Sequence, residues 1–300
     1  MKPDWITRAI GRHLVNLPAS AKLHETYTIN EVKVERLQIR SQQHFQNIVD
    51  MRETELVKAQ HDRKGSMLIE RMKHPNGSVT LISWKSPYSE ALHIFDTYFL
   101  VGTKAIKYSG AVGPDKWQSA LNLRNEFSQE WQELRPGEIP EGIGFVTGDV
   151  MLADKRFNLE NWSLSVQFAG KPDVNFVMYG FARRMVKPGL RERAGGATGF
   201  LASVLTGRST LRNRARSVGL IEGDEILMAA NQNNRRNYGF KWEAPGKANS
   251  LAEPYLIAEL TDGIQDPEAA GPSSFKDDDE ALALWDEIVD SIRLRPGAAG

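Results

Sequence analysis

Trp131-Gln-Glu-Leu-Arg-Pro-Gly137, followed by Glu138-Ile-Pro-Glu-Gly142, decides how this chain is divided. Trp117, Leu121, Phe127, Trp131 and Leu134 recur at helical spacing, and Pro136-Gly137 cannot extend that pattern. An amphipathic helix is therefore expected to end here, ahead of new strand-forming sequence. The chain repeats Leu294-Arg-Pro-Gly297 after a second helical pattern, with Ala281, Leu284, Trp285, Ile288 and Ile292 on one face. The expectation is an α+β protein of two domains, residues 1–137 and 138–300, each a mainly antiparallel sheet closed by a C-terminal helix. Proline and glycine end many helices, so the echo fits either an internal duplication or a common stop signal.

Working outward through the first half, Ile10 to Pro18 reads as a short strand stopped by proline. Tyr27, Ile29, Val32, Val34 and Leu37 alternate with polar residues, as one half-buried strand bulged near Asn30 would. From Ser41, a suitable N-cap, helical spacing runs until Gly65. Met67 to Ser86 reads as a hairpin around Pro75-Asn-Gly77, with a type I′ turn at Asn-Gly. Ala91–Val101 and Lys104–Ser109 form a second strand pair around Gly102, and Gly113-Pro114 opens the helix that reaches the junction.

In the second half, strands are expected at 142–152, 162–168, 174–183, 215–221, 225–229, 238–242 and 255–260. Ala194 to Leu205 reads as a glycine-led short helix and Gln265 to Lys276 as a loop. Asp277-Asp-Asp-Glu280 begins the last helix, where negative charge suits the positive end of the helix dipole.

Composition bounds the functional classes. With 41% hydrophobic and 25% charged residues, the chain is a folding one. The 38 basic and 38 acidic residues cancel, so global charge argues for neither nucleic acid nor membrane. No apolar run approaches the roughly 18 residues of a membrane-spanning helix. Met1 to Arg8 lacks the apolar core of an export signal, which fits a cytoplasmic protein or a mature form. The absence of cysteine removes disulfides, thiolate nucleophiles and cysteine-held metals.

No catalytic constellation emerges. His13, His24, His44, His61, His74 and His93 all lie in the first half, and none has the spacing of a metal-binding helix face. Gly142-Ile-Gly-Phe-Val-Thr-Gly148 imitates a dinucleotide loop, but its context is that of a strand. Asp173, Asp224 and Glu225 are the carboxylates a hydrolase would draw on, although turn positions account for each. No cofactor or metal is expected. The one strong charge feature is residues 183–216, with nine Arg or Lys against Glu192. It reads as an exposed basic loop, a surface for an acidic protein partner, or a phosphate-contacting surface for nucleic acid or anionic lipid.

Three stretches together resemble a known family: Ile10-Gly-Arg-His-Leu-Val-Asn-Leu-Pro18, Glu141-Gly-Ile-Gly-Phe-Val-Thr-Gly-Asp149, and Leu284-Trp-Asp-Glu-Ile-Val-Asp-Ser-Ile-Arg-Leu-Arg-Pro-Gly297. In this order they are similar to the immunity proteins paired with type VI secretion lipase effectors, of the class with separate N- and C-terminal immunity domains. Where the family often carries cysteine, before the opening Gly-Arg and in the glycine-rich strand, this chain has Ala9-Ile10 and Gly144. The resemblance implies a non-enzymatic periplasmic protein that binds a cognate phospholipase effector, with no nucleic acid partner. Arg183, Arg184, Arg191, Arg193 and Arg208 are the electrostatic candidates for that contact, chosen on charge rather than on a family motif. The alternatives are a carboxylate-based hydrolase of the cell envelope, or a binder of anionic lipid or nucleic acid through residues 183–216.

Overall fold

The computed structural model describes residues 4–186, 188–194, 208–232, 235–262 and 273–300. The protein is a two-domain, mostly antiparallel sheet fold with few helices. By packing, its two compact units interleave along the chain. One comprises Tyr27–Pro140 and Gly144–Asp154; the other comprises Met1–Thr26, Glu141–Ile143 and Lys155–Gly300. A single cut at 137/138 describes the sequence and not these packing units.

In the first of these units the strands run in the order Val32–Leu37, Lys104–Val112, Ser89–Val101, Val79–Ser86, Leu68–Lys73, every neighbour antiparallel. Alternate strand positions face opposite sides, and each side has its own helix. Val79 and Leu81 pack with Phe45, Val49 and Leu56 of helix Gln42–Lys58. Ile82, Phe95 and Val112 pack with Leu121 of helix Trp117–Glu130. The Ser41 hydroxyl caps the first helix by accepting from His44 N, as its sequence position demands.

Four local expectations are corrected here. The helix after Ser41 stops at Lys58, and Gln60–His61 pairs with Gly65–Ser66 in a minimal hairpin. The strand with a bulge at Asn30 is two strands, since Asn30 and Glu31 both take positive φ (50° and 65°) and Ile29 pairs with Val32. In the Pro75-Asn-Gly77 turn only Gly77 has positive φ (88°), and its N–H donates to His74 O at 3.0 Å. That is a type I turn closed by a left-handed glycine, not type I′. Finally, the helix before the junction ends at Glu130. Trp131–Glu133 leaves it as a strand against Val150–Leu152, which also pairs Phe145–Val146. The glycine-rich 142–148 stretch thus leads into a hairpin, with no helix after it to receive a dinucleotide.

The other unit has a six-stranded antiparallel sheet in the order Arg208–Ala215, Asp224–Gln232, Arg235–Ala244, Tyr255–Asp262, Lys171–Phe181, Asn161–Phe168. Helix Asp278–Val289 lays Trp285 against Phe176 and Phe240, all three buried. Its Asp277 cap accepts from Glu280 N at 2.9 Å. A small sheet joins the ends of the chain: Trp5–Ile10 pairs with His13–Pro18, which pairs with Arg293–Leu294. The expected strand at 10–18 is therefore two strands turning at Gly11-Arg12.

The opening and closing stretches that carried the family resemblance, with Glu141–Ile143 of the middle one, meet in this unit. Arg12 grips buried Glu160 with two hydrogen bonds (2.6 and 2.7 Å) and donates to Ala298 O. Arg295 N donates to Arg12 O at 2.9 Å, and its guanidinium donates to Gly142 O at 2.7 Å. The signature residues are a fastener, holding both chain ends and the post-junction segment to one core.

Candidate partner-binding surface

The basic run does not lie free on the surface. Strand Arg208–Ala215 begins earlier than the 215–221 expected, so Arg212 and Arg214 occupy alternate strand positions, and Arg216 follows in register. All three turn to carboxylates. Glu225, wholly buried on the neighbouring strand, accepts from Arg216, from Arg214 Nε at 3.1 Å and from Trp285 Nε1 at 2.9 Å. Asp286 takes a two-pronged contact from Arg212 (2.6 and 2.9 Å), and Asp290 takes Arg216 Nη2 at 2.7 Å. Burial alone would raise the Asp286 carboxyl, but the Arg212 hydrogen bonds and the Arg216 charge outweigh it and hold the pKa below normal. Three cations meet three anions, so this stretch presents little net field. The sequence carried the signal: arginines at alternate positions mark one strand face, and Asp286 and Asp290, four apart, mark one helix face.

The five candidate arginines divide. Arg183, Arg184, Arg191 and Arg193 gather at one end of the six-stranded sheet, where strands Lys171–Phe181, Arg235–Ala244 and Tyr255–Asp262 begin or end. Arg208 pairs with Ala230 at the opposite end of its strand, away from the other four. Arg193 donates to the buried Glu243, which raises its pKa. Arg191 donates to Asn213 Oδ1 at 3.2 Å and stands 4.0 Å from Asp224. Both belong to the short helix Leu190–Ala194; the rest of the helix expected at 194–205 lies outside the described residues.

Arg183 differs. Its guanidinium lies 3.8 Å from the centroid of the Tyr255 ring and 4.9 Å from that of Phe181, which stacks on Tyr179. Nη1 is buried with no hydrogen-bond partner. Burial, reinforced by the Glu243 charge, pushes the Tyr255 hydroxyl up to about 12, so the ring stays neutral beneath the cation. Asn249 N holds the Arg183 carbonyl at 2.7 Å, and Arg184, Met185 and Val186 follow in the open, Met185 being 78% exposed. A clamped arginine over aromatic rings beside exposed apolar side chains has the make-up of a protein–protein anchor.

The other residues singled out are tied into the fold. Asp173 is partly buried, which opposes ionisation, yet Ser274 and Arg235 more than compensate and lower its pKa. Asp224 faces Arg191, and Glu225 belongs to the arginine cluster. His61, Trp84, His93 and Trp117 form a row of rings 4.8 to 5.2 Å apart. Among the described residues no group of three or more His, Asp or Glu is placed to hold a metal ion. No helix among them is long and apolar enough to cross a membrane.

Comparison with known proteins identifies the family. Residues 7–136 match the family model of the Tle cognate immunity protein 4 N-terminal domain, and residues 138–297 match that of its C-terminal domain. The chain is 32% identical to the apo structure of the immunity protein TplEi of the type VI secretion system from Pseudomonas aeruginosa, with a TM-score of 0.92 over 99% of both chains. It is equally similar to a chain of the Tle4–Tli4 complex, at 32% identity and TM-score 0.92 over 99% of this chain and 100% of that one. TplEi complexed with an "L" peptide matches at 30% identity and TM-score 0.86, over 99% and 100%. Among curated proteins, none matches. With both domain models matched and near-complete structural overlap, the chain belongs to the Tle cognate immunity protein 4 family.

Proposed function

We propose that this protein is a stoichiometric immunity protein: it binds a type VI secretion phospholipase effector, keeps it from membrane phospholipid, and does no chemistry itself. The observation that carries the reading is the match to a solved Tle4–Tli4 complex across 99% of the chain. In keeping with a non-enzymatic role, the candidate carboxylates are committed to arginine and backbone partners. We read residues 1–137 and 138–300 as the two immunity domains, each with a helix packed on its sheet late in its sequence, and the periplasm as the site of action. The contact surface includes Arg183, Arg184, Arg191 and Arg193, with Arg208 on a separate edge. Arg183 is the strongest anchor among them, because its guanidinium is held in place over the Tyr255 and Phe181 rings beside the exposed Met185 and Val186.

The test is co-expression with the lipase encoded beside the gene, followed by pull-down and a phospholipase assay on the purified pair. Growth rescue, a 1:1 complex and loss of lipase activity are expected. If the neighbouring lipase neither binds nor is inhibited, the reading fails. Binding to nucleic acid or anionic lipid through 183–216 is disfavoured by the internal pairing of Arg212, Arg214 and Arg216.

A further inference from the structure

Beside the Arg183 surface, within the same unit, lies a cleft of about 730 Å³. Its walls are two hydrogen-bonded loops. Val218 and Ile221 exchange both backbone hydrogen bonds (2.9 and 3.0 Å), which pushes Leu220 out to full exposure at the tip. In the facing loop Lys247 N bonds Glu253 O at 2.8 Å, and Gly246, at φ +67°, lies so close to the Pro254 backbone that no side chain fits. Such walls are set before any ligand arrives.

Val218, Leu220, Pro254, Leu256 and Leu294 make the lining mostly apolar, and the charged residues around it are two of each sign: Glu222 and Glu253, Lys247 and Arg293. The floor carries His13, which is 1% exposed, packs 6.3 Å from the Trp162 ring and leaves both ring nitrogens without a hydrogen-bond partner. Burial, with the neighbouring Arg12 charge, lowers its pKa to about 4, so at neutral pH it offers one N–H and one lone pair. A peptide group offers the matching acceptor and donor, whereas a charged group finds no net field to receive it. Size agrees too, since preformed ligand pockets are on the order of 300–1,000 Å³ with a few convergent polar groups.

We propose that this cleft is an anchor pocket for an extended segment of the effector, taking one large apolar side chain between Leu220 and Leu256 and a backbone amide at His13. The inference rests on the effector-binding reading; that a relative of this fold has been solved with a bound peptide favours a peptide occupant.

The experiment titrates the neighbouring lipase, inactivated at its nucleophile, into the full chain by calorimetry. The variants are Ala252→Trp, which fills the cleft, and Leu220→Asp at the exposed tip; thermal melts confirm that each is folded. Loss of a central apolar anchor should weaken binding at least tenfold in both cleft variants. Unchanged affinity in folded Ala252→Trp and Leu220→Asp, with wild type binding tightly, overturns the pocket and leaves the effector reading standing. No binding by wild type overturns both. Oleate binding that Ala252→Trp abolishes, with lipase affinity intact, assigns the cleft to an acyl chain and overturns the peptide occupant.

Discussion

His13 links stability to pH through a single buried ring. Its folded pKa of about 4 lies below the ordinary 6.5, for reasons of burial first and the Arg12 charge second. Above pH 6.5 neither folded nor unfolded chain protonates it, and its neutral burial contributes fully. Between 6.5 and 4 the unfolded chain takes up a proton that the native ring refuses, so stability falls as pH falls, by about 3 kcal/mol in total. Replacing His13 by Gln, which is neutral throughout, should flatten that slope in urea unfolding measured from pH 4 to 7. Equal slopes for His13→Gln and wild type would show that the ring titrates normally. The lowered carboxylates, Asp286 and Asp173 among them, act lower down: their contribution persists above their unfolded pKa near 4 and disappears as pH falls through the folded value. Nothing in the local sequence around His13 announces this role, because its environment comes from Arg293–Leu294 and Trp162, far along the chain.

At the scale of elements, strand Arg208–Ala215 and helix Asp278–Val289 are joined by charge. Glu225 is completely shielded and Arg216 is 6% exposed, so deleting the acid's charge takes from this buried cation its only fully buried partner and leaves it the more exposed Asp286 and Asp290. Glu225→Gln should cost about 3 kcal/mol in urea unfolding at pH 7. Arg214→Ala should cost under about 0.5 kcal/mol, because Arg214 is 54% exposed and solvent screens its contact. Equal costs for the two would mean that burial is not what gives the cluster its strength. Features governed by local chemistry were legible beforehand: the Ser41 cap, the acidic start of the last helix, the hairpin at Pro75-Asn-Gly77, and the stripe through Trp285. Features governed by distant partners were not. Trp131 fits the helical stripe by spacing, yet it is drawn into a strand by Leu152, its partner across the ladder. Of the candidate site, sequence supplied the arginines. It did not supply the separation between those consumed by Glu225, Asp286 and Asp290 and the one stacked on Tyr255, since that depends on which strands are neighbours.

At the scale of the molecule, a boundary in sequence and a boundary in packing need not coincide. The family models meet at 136/138, while the first 26 residues pack with Lys155–Gly300. Ile10, Leu14, Val15 and Leu17 are each at most 4% exposed in that unit, and Arg12 holds Glu160 and the Ala298 carbonyl there. Burial of a large aliphatic side chain contributes about 1.5–3 kcal/mol, so losing four removes about 6–12, comparable to the whole stability of an ordinary domain. Removing Arg12 as well takes from buried Glu160 the cation that grips it with two hydrogen bonds. A fragment of residues 138–300, though it spans the complete C-terminal family domain, should therefore fail to fold alone, giving collapsed amide dispersion in its nitrogen–proton spectrum and rapid proteolysis. Adding residues 1–26 back, on a flexible linker ahead of 138, should restore dispersed signals. The same graft carrying Arg12→Ala should restore them poorly, because Glu160 is then buried without its cation. A well-dispersed spectrum from 138–300 by itself would refute the argument, and would mean that the Arg12, Gly142 and Arg295 fastener holds the chain ends in place without carrying the stability of the unit they close.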